Sequence, residues 1–310
     1  MQPDLRDYMT GKNFISRLKP WMLPIAMISG AVFHEWIGYL SPFAPYLIFT
    51  MLLITFCKVK VSEFSVTKLS WALIAVQVIG ALLVYYSISL FNNDLAIATF
   101  ICVFCPTATA APVVTGMLGG NVTKLAIYSI ISNVTVAVLS PILFSILGSH
   151  ADVSIWNATL RISAKVMPLI ITPLVLALVI KKVTPKLHKT ISEHQSVSFY
   201  IWAVSLLIVV GNAVSYIIKH HEDITTMVLM AFTALAVCCL QFYIGRKFGG
   251  KYGDKISGAQ GLGQKNTVLA IWMALTFFNP VTSVGPAAYI VWQNSINSYQ
   301  LWRKSRHNEM

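Results

Sequence analysis

Two short segments of this sequence combine helix-breaking residues with polar side chains inside otherwise apolar stretches. The first reads Cys-Pro-Thr-Ala-Thr-Ala-Ala-Pro at 105–112, and the second reads Gly-Ala-Gln-Gly-Leu-Gly-Gln-Lys-Asn-Thr at 258–267. Proline removes a backbone donor and collides with the preceding helical turn, while glycine weakens a helix through its backbone entropy. We therefore predict that each segment interrupts a helix. The residues predicted to cause the breaks are Pro106, Pro112, Gly261 and Gly263.

The elements that position these segments are predicted to be membrane helices. Of the 310 residues, 56% are hydrophobic and only 11% are charged, whereas soluble domains carry about 25% charged residues. The apolar residues fall in blocks of roughly 15 to 24, the length needed for a helix to cross a hydrocarbon core ~30 Å thick. Because a helix satisfies its own backbone hydrogen bonds in lipid, we predict an all-α polytopic membrane protein.

Ten spans are predicted, and they divide into two halves of five. The spans are 21–40, 43–57, 69–91, 95–118, 125–147, 162–180, 197–218, 225–245, 258–278 and 281–302. An odd number of spans per half inverts the second half, which gives a five-plus-five inverted repeat with 21–147 as one unit and 162–302 as the other. Residues 1–20 and 303–310 are expected to be terminal segments of a single transporter unit, 1–310. The two interrupted segments then lie in equivalent spans, the fourth and the ninth.

The distribution of positive charge supports this topology. With both termini in the cytoplasm, every lysine and arginine falls in a cytoplasmic segment except Arg161, Lys165, Lys219 and Lys265, as expected for a bacterial inner-membrane protein. The net charge of +12 is spread over the loops, so we assign it to topology and the lipid bilayer rather than to nucleic acid. The sequence predicts no metal site, cofactor or disulfide, and no enzyme activity. It does not indicate an oligomeric state.

Lys265 is the ionisable residue that most requires a physical explanation. Lys165 is near enough to a helix end to reach the membrane surface, but Lys265 lies within the ninth span. A lysine at the centre of a bilayer costs about 2.5 to 3.5 kcal/mol even on the lenient insertion scale. Three interpretations are open: the buried amine is often neutral, an anion supplied from outside neutralises the ammonium, or the ammonium binds the carbonyl groups of the unwound fourth span as an internal cation. The breaks themselves could also be simple kinks, since proline and glycine are common in membrane helices.

Two blocks of the sequence resemble a known transporter family. They contain Cys-Pro at 105–106, Gly-x-x-Asn-x-x-Leu-Ala at 263–270 and Val-Trp-x-Asn at 291–294. These patterns resemble the bile acid:sodium symporter family, including bacterial homologues of the apical sodium-dependent bile acid transporter. The resemblance implies two crossed, broken helices, a panel domain beside them, and alternating access. It also implies a solute site, which would consist of Thr109, Asn266, Asn294, Gln293 and Thr107.

The residues that resemble the family's two sodium sites are altered. The family's Ser-Asn pair is replaced by Ala111 and Pro112, its glutamate by Gly261 and its glutamine by Lys265, which follows Gln264. Gln77 and Ser129 resemble remaining sodium-ligand positions, but they cannot supply the missing carboxylate. We therefore expect a secondary transporter of a small organic anion that does not require sodium, with Lys265 in place of the coupling ion. The alternatives are a conventional sodium:solute symporter and a membrane-embedded solute sensor.

Overall fold

The protein is built of helices, several of which begin at a polar side chain that caps them. The computed structural model describes residues 22–57, 66–108, 111–148, 155–193, 195–220 and 223–308. Within these ranges the α-helices are α1 (Met22–Val32), α2 (His34–Ile37), α3 (Ala44–Cys57), α4 (Lys68–Ser89), α5 (Asn93–Phe104), α6 (Ala111–Leu118), α7 (Val122–Leu147), α8 (Ile155–Val183), α9 (Pro185–Glu193), α10 (Gln195–His220), α11 (Ile224–Lys251), α12 (Lys255–Gly263), α13 (Thr267–Phe277) and α14 (Val284–Asn308). The described part of the chain contains no β-strand longer than an isolated bridge, which confirms the all-α prediction.

Side-chain caps explain where several of these helices start. Asn92 accepts a hydrogen bond from Leu95 N–H at the start of α5, and Asn121 does the same for Lys124 at the start of α7. In each case the side-chain oxygen satisfies a backbone donor that has no partner inside the helix. The caps therefore fix the polar ends of apolar helices.

Five continuous helical segments are long and apolar enough to cross a membrane. They are His34–Cys57, Lys68–Ser89, Val122–Leu147, Ile155–Val183 and Ile224–Lys251. Shorter apolar helices lie at Asn93–Phe104, Tyr200–Ser215 and Thr267–Phe277. The chain is thus a multi-pass helical protein, and α5 with α6 and α12 with α13 form pairs of half-length helices. The count of ten spans stays a prediction.

The helices pack into two groups. In the first group, α10 packs against α1 and α3, and α3 packs against α8. In the second, α11 packs against α12, α14 and α5, while α4 packs against α5. The helix α7 packs along α8 and so joins the groups. The closest approach is between α11 and α12, where a Cβ atom on Gly245 would collide with the carbonyl of Gly258. Small residues of this kind allow membrane helices to approach at the backbone.

Candidate functional site

The two breaks predicted from the sequence lie directly against each other in the structure. Thr107 and Lys265 form an isolated antiparallel β-bridge. In this bridge, Asn266 N–H donates to Pro106 O at 2.8 Å, and Ala108 N–H donates to Gln264 O at 2.9 Å. Backbone groups that no longer take part in a helix therefore bond to each other across the crossing. This pairing meets the requirement that unwound backbone inside a membrane be satisfied within the protein.

Thr107 and Lys265 make equivalent contacts across this crossing. The Thr107 hydroxyl donates to the Gly261 carbonyl at 2.8 Å, and Lys265 Nζ donates to the Val103 carbonyl at 2.7 Å. Gly261 lies four residues before Lys265, and Val103 lies four residues before Thr107. Each side chain therefore binds the last turn of the half-helix that leads to its partner. The contacts have the arrangement expected of a local two-fold axis through the bridge.

The helices α7 and α14 hold the two breaks in matching ways. Ser132 Oγ on α7 accepts from Thr107 N–H at 3.3 Å, and Gln293 Oε1 on α14 accepts from Lys265 N–H at 2.8 Å. Gln293 Nε2 also donates to Lys265 O at 3.3 Å. Both backbone groups of Lys265 are thus held by one amide. Gln293 is fully buried, so its role in the structure is to fix the position of Lys265.

Two tyrosine and glutamine pairs lie beside the bridge, and their hydrogen bonds run in opposite directions. Tyr128, four residues before Ser132, donates its hydroxyl to Gln77 Oε1 at 3.1 Å. Tyr289, four residues before Gln293, accepts from Gln241 Nε2 at 2.9 Å. The Tyr289 hydroxyl in turn donates to the Gly263 carbonyl at 2.9 Å.

Gln77 also binds the carbonyl end of α5. Its Nε2 donates to the Phe104 carbonyl at 2.6 Å, and its Oε1 accepts a second hydrogen bond from Ser132 at 2.9 Å. All the side-chain hydrogen-bonding positions at this end of Gln77 are therefore occupied by protein groups.

Sequence reasoning missed Tyr128, Tyr289 and Gln241, although a signal for two of them was present. The chain reads Tyr-Ser-Ile-Ile-Ser-Asn at 128–133 and Tyr-Ile-Val-Trp-Gln-Asn at 289–294. Each segment places a tyrosine four residues before the side chain that binds a break. Both segments thus follow the same short pattern, with the tyrosine about one helical turn before the residue that binds the break.

Lys265 is buried without a carboxylate as its hydrogen-bond acceptor. Its side chain is 1% exposed, and its recorded acceptor is the Val103 carbonyl, one residue before the end of α5. The carbonyl end of a helix carries partial negative charge, which favours a cation placed there. The contact is the one expected for an internal cation, which is one of the three interpretations of this residue.

The glycines and prolines act differently from the expectation that all four lie in unwound backbone. Gly261 and Gly263 remain helical at the end of α12, and the break follows them at Gln264. Their lack of a side chain is required by packing, because a Cβ atom would meet the Tyr128 ring at Gly261 and the Phe242 ring at Gly263. Pro106 lies in the break, but Pro112 lies in the first turn of α6, where proline leaves no hydrogen bond unmade.

The remaining predicted site residues lie in three environments. Asn266 and Gln264 are buried at the bridge, and Asn294 is half-buried on α14 next to Gln293. Ser129 is buried on α7, and Ala111 is buried at the start of α6. Thr109 lies outside the described residues.

Several buried polar atoms near the bridge have no hydrogen-bond partner within the described protein. They are Gln264 Oε1, Asn266 Nδ2, Thr267 Oγ1, Ser129 Oγ and Asn133 Oδ1. Buried polar groups normally pair with protein or with bound molecules. The site therefore offers both donors and acceptors that a polar solute could use, beside the first residues of α13.

Comparison with known proteins identifies the family. A search of the curated proteins matches none. The sequence model of the SBF-like CPA transporter family, a bile acid:sodium symporter-like family, matches residues 56–295, which include both breaks and both of the helices that hold them. The chain is therefore a membrane transporter that belongs to the SBF-like CPA transporter family.

Proposed function

We propose that this protein is a secondary transporter that moves a small organic anion by alternating access without sodium. In this proposal Lys265 takes the place of the coupling sodium ion. The observation that carries the proposal is the hydrogen bond from Lys265 Nζ to the Val103 carbonyl at the end of a half-helix. In broken-helix transporters, such carbonyl ends coordinate the coupling cation. A tethered ammonium supplies the same charge at that position and cannot be released.

The matched contacts on the two sides of the bridge support a five-plus-five inverted repeat. The side chains of Thr107 and Lys265 each donate to a carbonyl on the opposite side of the bridge. Ser132 and Gln293 accept from the backbone N–H groups of Thr107 and Lys265. A contact set of this kind follows when two halves of a chain share one fold and meet at a two-fold axis. The proposal places ten spans in a bacterial inner membrane with both termini in the cytoplasm.

The state of Gln77 argues against a sodium site of the family type. Its side-chain oxygen already accepts from the hydroxyls of Tyr128 and Ser132. An amide oxygen has two lone pairs, so both are used by protein donors. Gln77 is not free to bind an ion unless these hydrogen bonds break.

The start of α13 supports an anion as the solute. The N-terminal turn of a helix presents unpaired N–H groups and partial positive charge, and half-helix N-termini bind anionic groups in broken-helix transporters. Asn266 caps this helix through Oδ1, which accepts from Leu269 N–H, and its Nδ2 has no partner among the described residues. The buried hydroxyl of Thr267 likewise has no partner in the described part of the chain. Together they offer donors to a carboxylate.

The two helix groups supply the parts that alternating access requires. The bridge lies in the group that contains α5, α12 and α14, while α1, α3, α8 and α10 form the other group, and the two groups meet through α7 and α13. We propose that one group moves against the other and exposes the bridge to each side of the membrane in turn. The hydrogen bonds that Ser132 and Gln293 make with the two breaks would keep the solute site intact during this motion.

A conventional sodium:solute symporter is the second candidate. Ser129 Oγ and Asn133 Oδ1 are buried oxygen atoms on α7 to which no described residue donates a hydrogen bond. Two neutral oxygens could contribute to a displaced sodium site, although sodium generally needs several hard oxygen ligands. This candidate makes the opposite prediction about the coupling ion.

The experiment compares Lys265→Gln with the natural protein. A thermal-shift screen against acetate, lactate, pyruvate, succinate, citrate and taurocholate first identifies an anion that binds. Binding and uptake into proteoliposomes are then measured in sodium and in choline buffers. The natural protein should bind equally in both. Lys265→Gln should bind about tenfold more weakly or worse in both buffers, because the variant lacks the positive charge that attracts the anion.

The matched control is Lys165→Gln, which removes a lysine that is exposed on α8. This variant should keep the affinity of the natural protein. Strict dependence of the natural protein on sodium would support the symporter instead. Full activity of Lys265→Gln in choline would show that Lys265 has no role in coupling.

A further inference from the structure

A cavity that no bridge residue lines lies between the two helix groups. Its volume is about 650 Å³, and its walls come from α3, α4, α7, α8 and α9. Representative wall residues are Phe56 on α3, Ile74 on α4, Val134 on α7 and Leu174 on α8. Cavities that bind small molecules generally measure about 300 to 1,000 Å³. This space, which we call the lateral crevice, is therefore of ligand size.

The lateral crevice is apolar along its length and positively charged at one end. The polar residues among those that line it are Thr135, Lys181 and His188. Lys181 lies in the last turn of α8, and His188 lies on α9, which follows after Thr184. A hydrophilic solute would find almost nothing in the walls to hydrogen-bond. A molecule with an apolar chain and a negative end would match both parts.

The lateral crevice opens on the outer surface of the helices. Three of its wall residues are well exposed: Trp71 is 64% exposed, and Val138 and Leu178 are each 49% exposed. These residues belong to helices long and apolar enough to span a membrane. In a membrane protein their outer surface faces acyl chains. A lipid can therefore enter the crevice from the side.

The helix α9 places the charged end of the crevice at the membrane surface. It is short and amphipathic, with Leu187 and Ile191 among its apolar residues and Lys186 and Lys189 among its charged ones. It packs on α8 and on α3. Amphipathic helices of this composition lie in the headgroup region with their apolar face toward the hydrocarbon. His188 therefore lies at headgroup depth, where phosphate groups are found.

We propose that the lateral crevice binds one acyl chain of an anionic phospholipid, whose phosphate lies between Lys181 and His188. The bound lipid is a component of the leaflet on the side of α9. It would fill the space between α7, which holds the Thr107 break through Ser132, and α8, which belongs to the other helix group. The lipid site is separate from the bridge, and its binding is measured without any transport assay.

The test uses the purified full-length protein in zwitterionic detergent. Native mass spectrometry and thermal shift are measured with phosphatidylglycerol and with phosphatidylcholine of the same acyl chains. We expect one tightly bound phosphatidylglycerol and a higher unfolding temperature than with phosphatidylcholine. Lys181→Gln should weaken phosphatidylglycerol binding about fivefold, because one lysine near a membrane surface contributes roughly 1 kcal/mol. Lys181→Gln combined with His188→Gln should remove the preference for the anionic lipid.

The matched control is Lys182→Gln, which removes the neighbouring charge that does not line the crevice. It should bind as the natural protein does. Ala177→Phe, which fills the crevice, should weaken the binding of both lipids. If the Ala177→Phe variant does not fold, the variants of Lys181 and His188 still test the proposal. Equal binding of the two lipids, or an unchanged preference in the double variant, would overturn the proposal. Binding of glycerol phosphate alone, or tighter binding of palmitate than of phosphatidylglycerol, would also overturn it.

Discussion

The two hydrogen bonds between the Gln293 amide and the backbone of Lys265 can be tested directly. Leucine has nearly the same size as glutamine but cannot form hydrogen bonds. Gln293→Leu would therefore leave the N–H and the carbonyl of Lys265 without the partners that now lie at 2.8 and 3.3 Å. The position is fully buried, so water cannot replace the lost amide easily. Little cavity is created, and the change isolates the hydrogen bonds.

The expected cost follows from the two backbone groups that lose their partner. Leaving one buried donor or acceptor unsatisfied costs about 1 to 3 kcal/mol. The contact to the carbonyl is long and should contribute at the lower end of that range. We therefore expect Gln293→Leu to lower the free energy of unfolding by roughly 2 to 4 kcal/mol.

Buried thiols provide the assay. Cys57, Cys102, Cys105 and Cys238 are free and buried, so a thiol-reactive fluorophore reports their exposure as the protein unfolds in mixed micelles. The control is Gln300→Leu, the same substitution about two turns later on α14. Gln300 accepts a single hydrogen bond of 3.3 Å from Gln260, which also binds another partner, so the control should cost less than ~1 kcal/mol. If both variants have the same stability, the amide of Gln293 does not hold the break.

Three further predictions concern other parts of the fold. Ser132→Ala should lower the free energy of unfolding by about 1 to 3 kcal/mol, because the N–H group that it accepts from loses its partner; the same thiol assay measures it. Gly245→Ala should strongly reduce the yield of folded, monodisperse protein in size-exclusion chromatography, since its Cβ atom would collide with a backbone carbonyl of α12. Asp223 caps α11, and hydrogen bonds from the hydroxyl and then the N–H of Thr226 lower the pKa of its carboxyl group. Its contribution to stability is therefore present above the unfolded pKa of about 4 and is lost as the pH falls below it; the unfolding temperature of Asp223→Asn should depend less on pH in that range.

The sequence predicted the locations of the two breaks because local chemistry determines them. Pro106 cannot donate to its helix, and Asn266 is a favourable cap for the helix that follows. Both effects act within a few residues and can be read without the tertiary structure. The sequence also shows that Lys265 needs a structural explanation, because placing a lysine inside the bilayer costs free energy.

The contacts of the breaks could not be predicted in the same way. Gly261 and Gly263 suggest unwinding, but both are helical, and glycine is required there because the rings of Tyr128 and Phe242 occupy the space of a side chain. That reason lies on other helices, far away in sequence. Likewise, the sequence leaves three interpretations of Lys265 open, and its contact with the Val103 carbonyl is visible only in the structure.

The hydrogen bonds at the bridge also bear on the charge of the solute that we propose. Four half-helix ends meet there: the carbonyl ends of α5 and α12, and the N-termini of α6 and α13. The two carbonyl ends already receive donors, from Lys265 and from Thr107. The N-termini keep their partial positive charge. When Lys265 is protonated, one of the two donors is an ammonium and the other a neutral hydroxyl, so the net charge at the bridge is positive. This charge supports our proposal that the solute is an anion, because a sodium ion would meet a cation that is already bound.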